Sequence, residues 1–468
     1  MPNSFVVLLI LFFVALGIYY LLSLRIQNIW LLLVSYTFYF VWQWQSAVVL
    51  MGLTLANFVL GLIIERSKRR LLWKSIGITL NILTLAFFKY RLFVFLRMLN
   101  LSAGLGNQPA SDTLAILVPV GLSFTVLQTI SYLVDVGNSR LKAERNLIDF
   151  ALYLAYFPKL LAGPIERANK FLEKLRTPRV VNNKSITDSF TLLLIGLFRK
   201  LVIANLLSRF ASETLFKQPS TFTSPELWMG LISYSFLIYN DFAGYTGIAR
   251  GISGLFGIEL STNFDLPYFS ASVADFWNRW HMSFSFWLRD YIYFPISRWL
   301  ATKVDRRHPI NTILPPLVTM IISGMWHMAS PNMLLWGAIH GTYLSVRRLP
   351  LPGKPSLPNQ RPFWEQVIRA SAVFLLVTLA WVPFRTDISN SLRFWKGLII
   401  WRSGPLSLIP LAIILPSLVL DALQSSNEVV FARWPHHARA AAIALTLLAI
   451  GLVLLARTTG TPFIYQGF

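Results

Sequence analysis

The stretch STNFDLPYFSASVADFWNRWHMSFSFWLRDYIYFP, residues 261–295, decides the fold. It is too aromatic for a solvated loop and too polar to cross lipid alone. At about 100° per residue, a helix over 274–290 gathers Asp275, Asn278, His281, Ser285 and Arg289 within an arc of roughly 120°. Phe276, Trp277, Trp280, Phe284 and Trp287 fill the other side. The pattern predicts a re-entrant or in-plane helix, its aromatic back packed into a bundle and its polar stripe turned to a cavity. An interfacial helix with an aromatic anchor would be equally amphipathic. It would not need an imidazole, an amide, a hydroxyl and both charges on one stripe.

The surrounding chain supplies the bundle. Of 468 residues, 55% are apolar and 13% charged, and long apolar runs recur from end to end, which predicts an all-α polytopic membrane protein. No run shows the alternation of a membrane barrel strand. The net charge is +22, from 42 Lys and Arg against 20 Asp and Glu. The basic residues fall in short loops between apolar spans, so the surplus reads as topology and contact with anionic lipid, with no nucleic acid as partner. The chain has no cysteine, which excludes a thiol nucleophile, an acyl-cysteine intermediate and thiolate metal sites.

Spans are expected near 5–24, 28–44, 46–64, 75–96 and 113–136. The run 5–24 lacks a basic n-region and a small-residue cleavage site, and so reads as a retained span. Placing ERSKRR (65–70) and SRLKAER (139–145) on the cytoplasmic side leaves the uncharged-to-acidic LSAGLGNQPASD outside and puts the N-terminus outside. The segment 156–171 is an apolar helix interrupted by Pro158, Gly163 and Pro164, either backbone broken at membrane depth or a helix end at the interface. Within 227–257, Gly244, Gly247, Gly251 and Gly254 share one helical face suited to close packing. Asp241 beside that seam is either a packing device or a group lining the reaction path. A proline-rich basic loop (347–362), an amphipathic piece (389–401) and spans near 365–382, 405–422 and 438–456 complete the chain. We expect a single membrane domain over 1–468, with N-terminal spans (1–112), a core carrying both histidines (113–345) and C-terminal spans (346–468).

The second histidine of interest is His327, in SGMWHMAS, after an apolar run containing Pro315 and Pro316. Gly324, three residues before it, lets a substrate or another backbone approach. A polar, titratable group near lipid depth marks a functional site by default. A neutral imidazole in low dielectric can accept a proton, as a general base must, although a single buried histidine more often bonds a carbonyl. His340 could face the same cavity; His308 reads as solvated, and His436 and His437 as interfacial. There is no GxSxG elbow, Walker loop, HExxH or clustered carboxylate–histidine metal set, so no metal and no bound cofactor are expected. Histidine acid–base chemistry in a membrane remains. A transporter or flippase also has broken helices and midplane polar groups, but the sequence has no inverted repeat.

Several blocks resemble the membrane-bound O-acyltransferases, in the branch of the alginate O-acetyltransferase membrane subunit and the D-alanyl transfer protein of teichoic acid synthesis. They are VPVGLSFTVLQTISYLVDV (118–136), FPKLLAGPIERANKF (157–171), residues 241–295, GMWHMASPNMLLWGAIHG (324–341), WVPFR (381–385) and PFIY (462–465). The resemblance implies roughly 11–12 spanning helices around a central tunnel in the plasma (inner) membrane. It implies a cytoplasmic acyl thioester, acetyl-CoA or another, as donor substrate. The acceptor would be a hydroxyl of an exported polysaccharide, reached directly or through an extracytoplasmic esterase-like partner. D-alanyl transfer to teichoic acid from a carrier protein is the close alternative. The family's paired histidines map onto His281 and His327, with His327 the base and His281, with Asn278, orienting substrate or polarising the carbonyl; Ser285, Asp275, Arg289 and Trp326 are further candidates for binding or orienting. Met328 stands where the family usually has a small Gly, which bears on the acceptor's approach.

Overall fold

The structure is a computed structural model that describes residues 12–90, 119, 121–160, 163–305, 307–346, 362–423 and 436–455. Residues 5–11 of the first expected span, 91–96 of the fourth and 113–118 of the fifth lie outside these. So do the stretch 101–112, most of the proline-rich loop and the PFIY block. Among the described residues there are helices and no strands. Among the same residues five helices are long and apolar enough to cross a membrane, Leu24–Val41, Gln43–Arg66, Arg70–Lys89, Asn183–Ser208 and Phe363–Arg385, and three shorter apolar helices accompany them. Large apolar side chains such as Leu33, Val41, Leu71 and Leu415 are exposed along these and other apolar helices, a surface suited to lipid rather than water. The chain is a multi-pass membrane protein.

The chain divides into two compact units. The first, residues 1–186 with 252–260, contains α1 (Leu24–Arg66), α2 (Arg70–Leu85), α3 (Leu122–Gly137), α4 (Leu147–Ala155) and α5 (Ala168–Arg176). A break at Gln43 (φ −160°, ψ 92°) divides α1 into two spans, close to the two expected near 28–44 and 46–64. Where apolar tails surround a bundle, polar side chains tie helices together. Here Asn81 on α2 donates to Asn57 on α1 at 2.7 Å, and Thr129 on α3 donates to Asn81 at 2.7 Å. Among the described residues the interrupted segment has one 3-10 turn, Phe157–Lys159, and residues 163–167, which lead into α5, take no regular secondary structure. It is buried in protein, and a Cβ on Gly163 would lie 2.3 Å from the Lys159 Cα. Lys159 is itself buried and donates to Gln128.

The second unit, residues 187–251 with 261–468, carries the focal stretch. Its long helices are α6 (Asn183–Leu197), extended by a π turn over Phe198–Ala204, and α7 (Ser224–Leu255), whose first and last residues respectively count with the other unit. The glycine seam does what its spacing predicts. A Cβ on Gly244 would meet the Gly196 carbonyl at 2.8 Å, and one on Gly251 the Ser189 carbonyl at 2.6 Å, so α6 and α7 touch backbone to backbone. Around this pair lie α8 (Val273–Arg279), α9 (Met282–Leu288), α10 (Phe294–Ala301), α11 (Ile310–His327), α12 (Pro331–Val346), α13 (Phe363–Arg385), α14 (Ile388–Ile399), α15 (Ile409–Leu423) and α16 (His436–Leu455). The amphipathic piece expected at 389–401 is α14. The side chains of His436 and His437 lie outside the described residues.

Helices α11 and α12 form a hairpin that small residues make tight. A Cβ on Gly324 would sit 2.1 Å from the Met333 carbonyl oxygen, one on Gly337 2.4 Å from that of Met320, and one on Gly341 2.7 Å from the Leu317 Cα. What approaches Gly324 is therefore another backbone. This contact fixes the end of α11, and with it His327, against α12.

Candidate active site

The focal stretch is not one helix, and here the structure corrects the sequence reading. Helix α8 is capped by Ser272, whose Oγ accepts from the Asp275 N–H at 3.1 Å. It ends at Trp280, which is extended, and His281 takes left-handed dihedrals (φ 42°, ψ 53°) before α9 begins. Such a conformation in a non-glycine residue costs about 1–3 kcal/mol and persists only where neighbours impose it. Asn263 imposes it: its carbonyl accepts from the Met282 N–H at 2.9 Å and its Oδ1 from the Ser283 N–H at 3.2 Å. Nothing between 274 and 290 announces this corner, because its clamp lies outside the stretch.

The corner sends the polar residues to different places. Asn278, Ser285 and Arg289, with Trp277, Thr319 and Phe294, line a cavity of about 330 Å³. Asp275 is not among its walls; it pairs with Arg279 at 2.9 Å and accepts from the Ala271 N–H. His281 leaves the stripe altogether. Its ring is 1% exposed and lies edge-on to Phe242 (centroids 4.7 Å apart) and tilted against Phe284 (5.1 Å).

His327, 3% exposed, meets the same phenylalanine at 5.9 Å from the end of α11. Trp326, 8% exposed, packs on Phe284 at 4.4 Å and on His327 at 4.8 Å. Trp336 from α12 and Phe384 from α13 complete the wall around His327, at 5.6 and 5.2 Å. Thus one ring, Phe284, touches both imidazoles, and aromatic side chains enclose them from five helices, α7, α9, α11, α12 and α13. Met328 follows His327 in extended conformation and is 40% exposed, outside this layer.

His340 joins the layer from α12, fully buried, its centroid 4.9 Å from Trp336 and 5.1 Å from Trp277. Its Nδ1 accepts from the Trp277 indole N–H at 3.4 Å. Trp277 therefore belongs both to the cavity wall and to the ring layer. His308 is exposed, as expected of a loop residue.

Asp241 pairs with Lys200 at 2.5 Å. Beside it runs a network that sequence reading passed over. Arg199 donates to Asp421 at 2.5 Å and to Asn240 at 3.1 Å, Ser417 donates to Asn240 at 3.0 Å, and Tyr239 donates to Asp421 at 2.9 Å. Both members of the ion pair are buried. The available signal was charge within two apolar runs, Arg199 beside Lys200 in one and Asp421 alone in the other. No group of three His, Asp or Glu able to hold a metal ion occurs among the described residues.

Buried imidazoles among rings, beside a cavity with a polar wall, suit proton transfer away from water. Comparison with known proteins identifies the transfer. A sequence model of the membrane-bound O-acyltransferase family matches residues 71–353. The probable alginate O-acetylase of Pseudomonas syringae pv. tomato is 34% identical over 376 residues, covering 80% of this chain and 70% of the relative. The peptidoglycan O-acetyltransferase of Helicobacter pylori is 29% identical over 81% of this chain and 76% of its own. The teichoic acid D-alanyltransferase of Bacillus subtilis is 28% identical over 48% of this chain and 58% of its own. Being an all-helical, multi-pass protein with these relatives, the chain belongs to the membrane-bound O-acyltransferase family and is an O-acyltransferase.

Proposed function

We propose that the protein transfers an acetyl group from a cytoplasmic thioester, acetyl-CoA, to a hydroxyl of an exported polysaccharide or to an extracytoplasmic, esterase-like partner that completes the transfer. The plasma (inner) membrane is its place, with the segments 65–70 and 139–145 cytoplasmic and the N-terminus outside. The observation that carries the reading is the placement of His281 and His327 against one phenylalanine in a buried aromatic layer.

In this reading His327 is the general base. The acceptor oxygen bonds to the thioester carbonyl carbon as its proton passes to the imidazole, and the carbonyl π pair moves onto oxygen. Collapse expels the thiolate, which recovers the proton. His281, with Asn278, orients the donor or polarises its carbonyl. Asn278, Ser285 and Arg289 give the donor cavity a polar wall, and Trp277 joins that cavity to the ring layer. Trp326 holds His327 in place. Asp275 acts indirectly, by closing the first turn of α8. Acetyl is favoured over D-alanyl because the acetylating relatives align over four-fifths of the chain and the D-alanyltransferase over about half.

The test is acetyl-CoA-dependent acetylation of extracellular polysaccharide in cells carrying wild type, His327→Ala or His281→Ala, at matched membrane levels. Loss in both variants with folding intact is expected. Activity that survives without His327 would remove the base and return transport as the explanation.

A further inference from the structure

The ring layer around His327 holds buried hydrogen-bond donors that the mechanism above does not use. Among the described residues the indole N–H of Trp336 has no hydrogen-bond partner, and neither has that of Trp381, although each side chain is 1% exposed. The two indoles stack at 6.2 Å. Trp336 stands perpendicular to His327, at 5.6 Å between centroids.

His340 adds a third donor. Its Nδ1 accepts from Trp277, so the neutral ring carries its proton on Nε2. That Nε2 is buried and has no partner either. An indole N–H can only donate, and a donor left unpaired in the interior costs about 1–3 kcal/mol. Three such groups, on Trp336 against the proposed base and on two rings that contact Trp336, are what an acceptor that gains negative charge requires.

We propose that Trp336 is a second catalytic residue of this centre: its indole N–H donates to the acyl carbonyl oxygen and stabilises the oxyanion formed when the acceptor attacks. His340 Nε2–H and the Trp381 indole N–H supply further donation from the same layer. The inference rests on the acetyl-thioester reading given above, and it adds the groups that hold the oxygen. When the acceptor oxygen bonds to the carbonyl carbon, the π pair becomes a lone pair on that oxygen and the hydroxyl proton goes to His327. Return of the pair re-forms the carbonyl and breaks the carbon–sulfur bond, and the thiolate takes the proton back. The donors exchange no proton in either step. The cost of leaving them unpaired is met in folding, so no dipole has to reorient during reaction.

The experiment uses the full-length protein in native membranes from polymer-producing cells, with acetyl-CoA as donor and thiol release as readout. Trp336→Phe keeps a ring against His327 and Trp381 and deletes the N–H. The expected result is a fall in kcat of about 10²–10³-fold, with a much smaller rise in KM for acetyl-CoA. Two CoA analogues separate catalysis from packing. A ketone with methylene in place of sulfur keeps the carbonyl, and an S-ethyl thioether lacks it. The variant should bind the ketone more weakly and the thioether as wild type does. Should the phenylalanine variant fail to fold, 3-benzothienylalanine at 336 preserves the bicycle without the N–H. Wild-type kcat in a folded variant, or equal weakening of both analogues, overturns the proposal. If wild type itself neither turns over acetyl-CoA nor binds either analogue, the donor reading falls and takes this inference with it.

Discussion

The second unit buries polar groups in two ways. The Arg199 network pairs its charges: guanidinium to carboxylate, amide and hydroxyl to one another, with Tyr239 donating to the same Asp421 oxygen as Arg199. The histidine layer instead surrounds its imidazoles with phenyl and indole faces and leaves three ring N–H groups unpaired. Satisfied groups hold helices in register, whereas groups held ready for a partner that arrives with substrate reduce stability. The difference sorts structural from chemical burial more sharply than residue type does, since both sets are buried.

Breaking the layer should cost rate, and breaking the network should cost stability. His327→Ala is expected to lower acyl transfer by about 10²–10⁴-fold while the detergent-solubilised protein melts near wild type. Asp421→Ala leaves the Arg199 guanidinium buried alone and should cost about 3–5 kcal/mol, read as a lower Tm with unchanged turnover per folded molecule. Replacing the pair together, Arg199→Met with Asp421→Leu, should recover most of that loss. A large loss of turnover in the double variant would make the network part of the chemistry and erase the contrast.

Gly324→Ala tests the hinge between the two behaviours. Its Cβ would meet the Met333 carbonyl, which is backbone and must move. A loss of about 1–3 kcal/mol and displacement of His327 should appear together, with activity falling by up to about 10²-fold. The smallest effect is outside both regions. Asp387 caps α14 by accepting from the Asn390 N–H at 2.9 Å, and that bond holds its carboxyl below the usual carboxylate range. Asp387→Ala should cost about 1 kcal/mol and leave activity alone. Because the folded value is depressed, this contribution is present above the unfolded value of about 3.9. It disappears as pH falls through the folded value, where the two proteins' melting temperatures should converge.

The membrane class, the spans near 28–44, 46–64, 75–96 and 365–382, the glycine seam and the two candidate histidines were legible in the sequence, because each rests on composition or on spacing within one element; the span Asn183–Ser208 was missed, and the segments near 405–422 and 438–456 are shorter apolar helices. The corner at His281 was not. Helical arithmetic assumes one continuous helix, and 274–290 contains no Gly or Pro to contradict it, whereas the clamp comes from Asn263 in a preceding loop. The arithmetic still placed Asn278, Ser285 and Arg289 on one cavity, since the two short helices turn that much of the stripe to a common side. It misplaced His281, which the corner turns toward Phe242, and Asp275, which the adjacent Arg279 captures. Arg199 with Asp421, and the unpaired donors at Trp336 and His340, depend on pairings across hundreds of positions or on the absence of a pairing. No local pattern carries either.

The wall of His327 has a consequence for how the protein is made. Phe384, which meets that ring from α13, is synthesised after both imidazoles and after the whole α11–α12 hairpin. A nascent chain halted at the proline-rich loop carries His281, His327 and Trp336 but not the side chains of α13 that close the layer. The layer around His327 is therefore completed only when α13 has been made, late in translation.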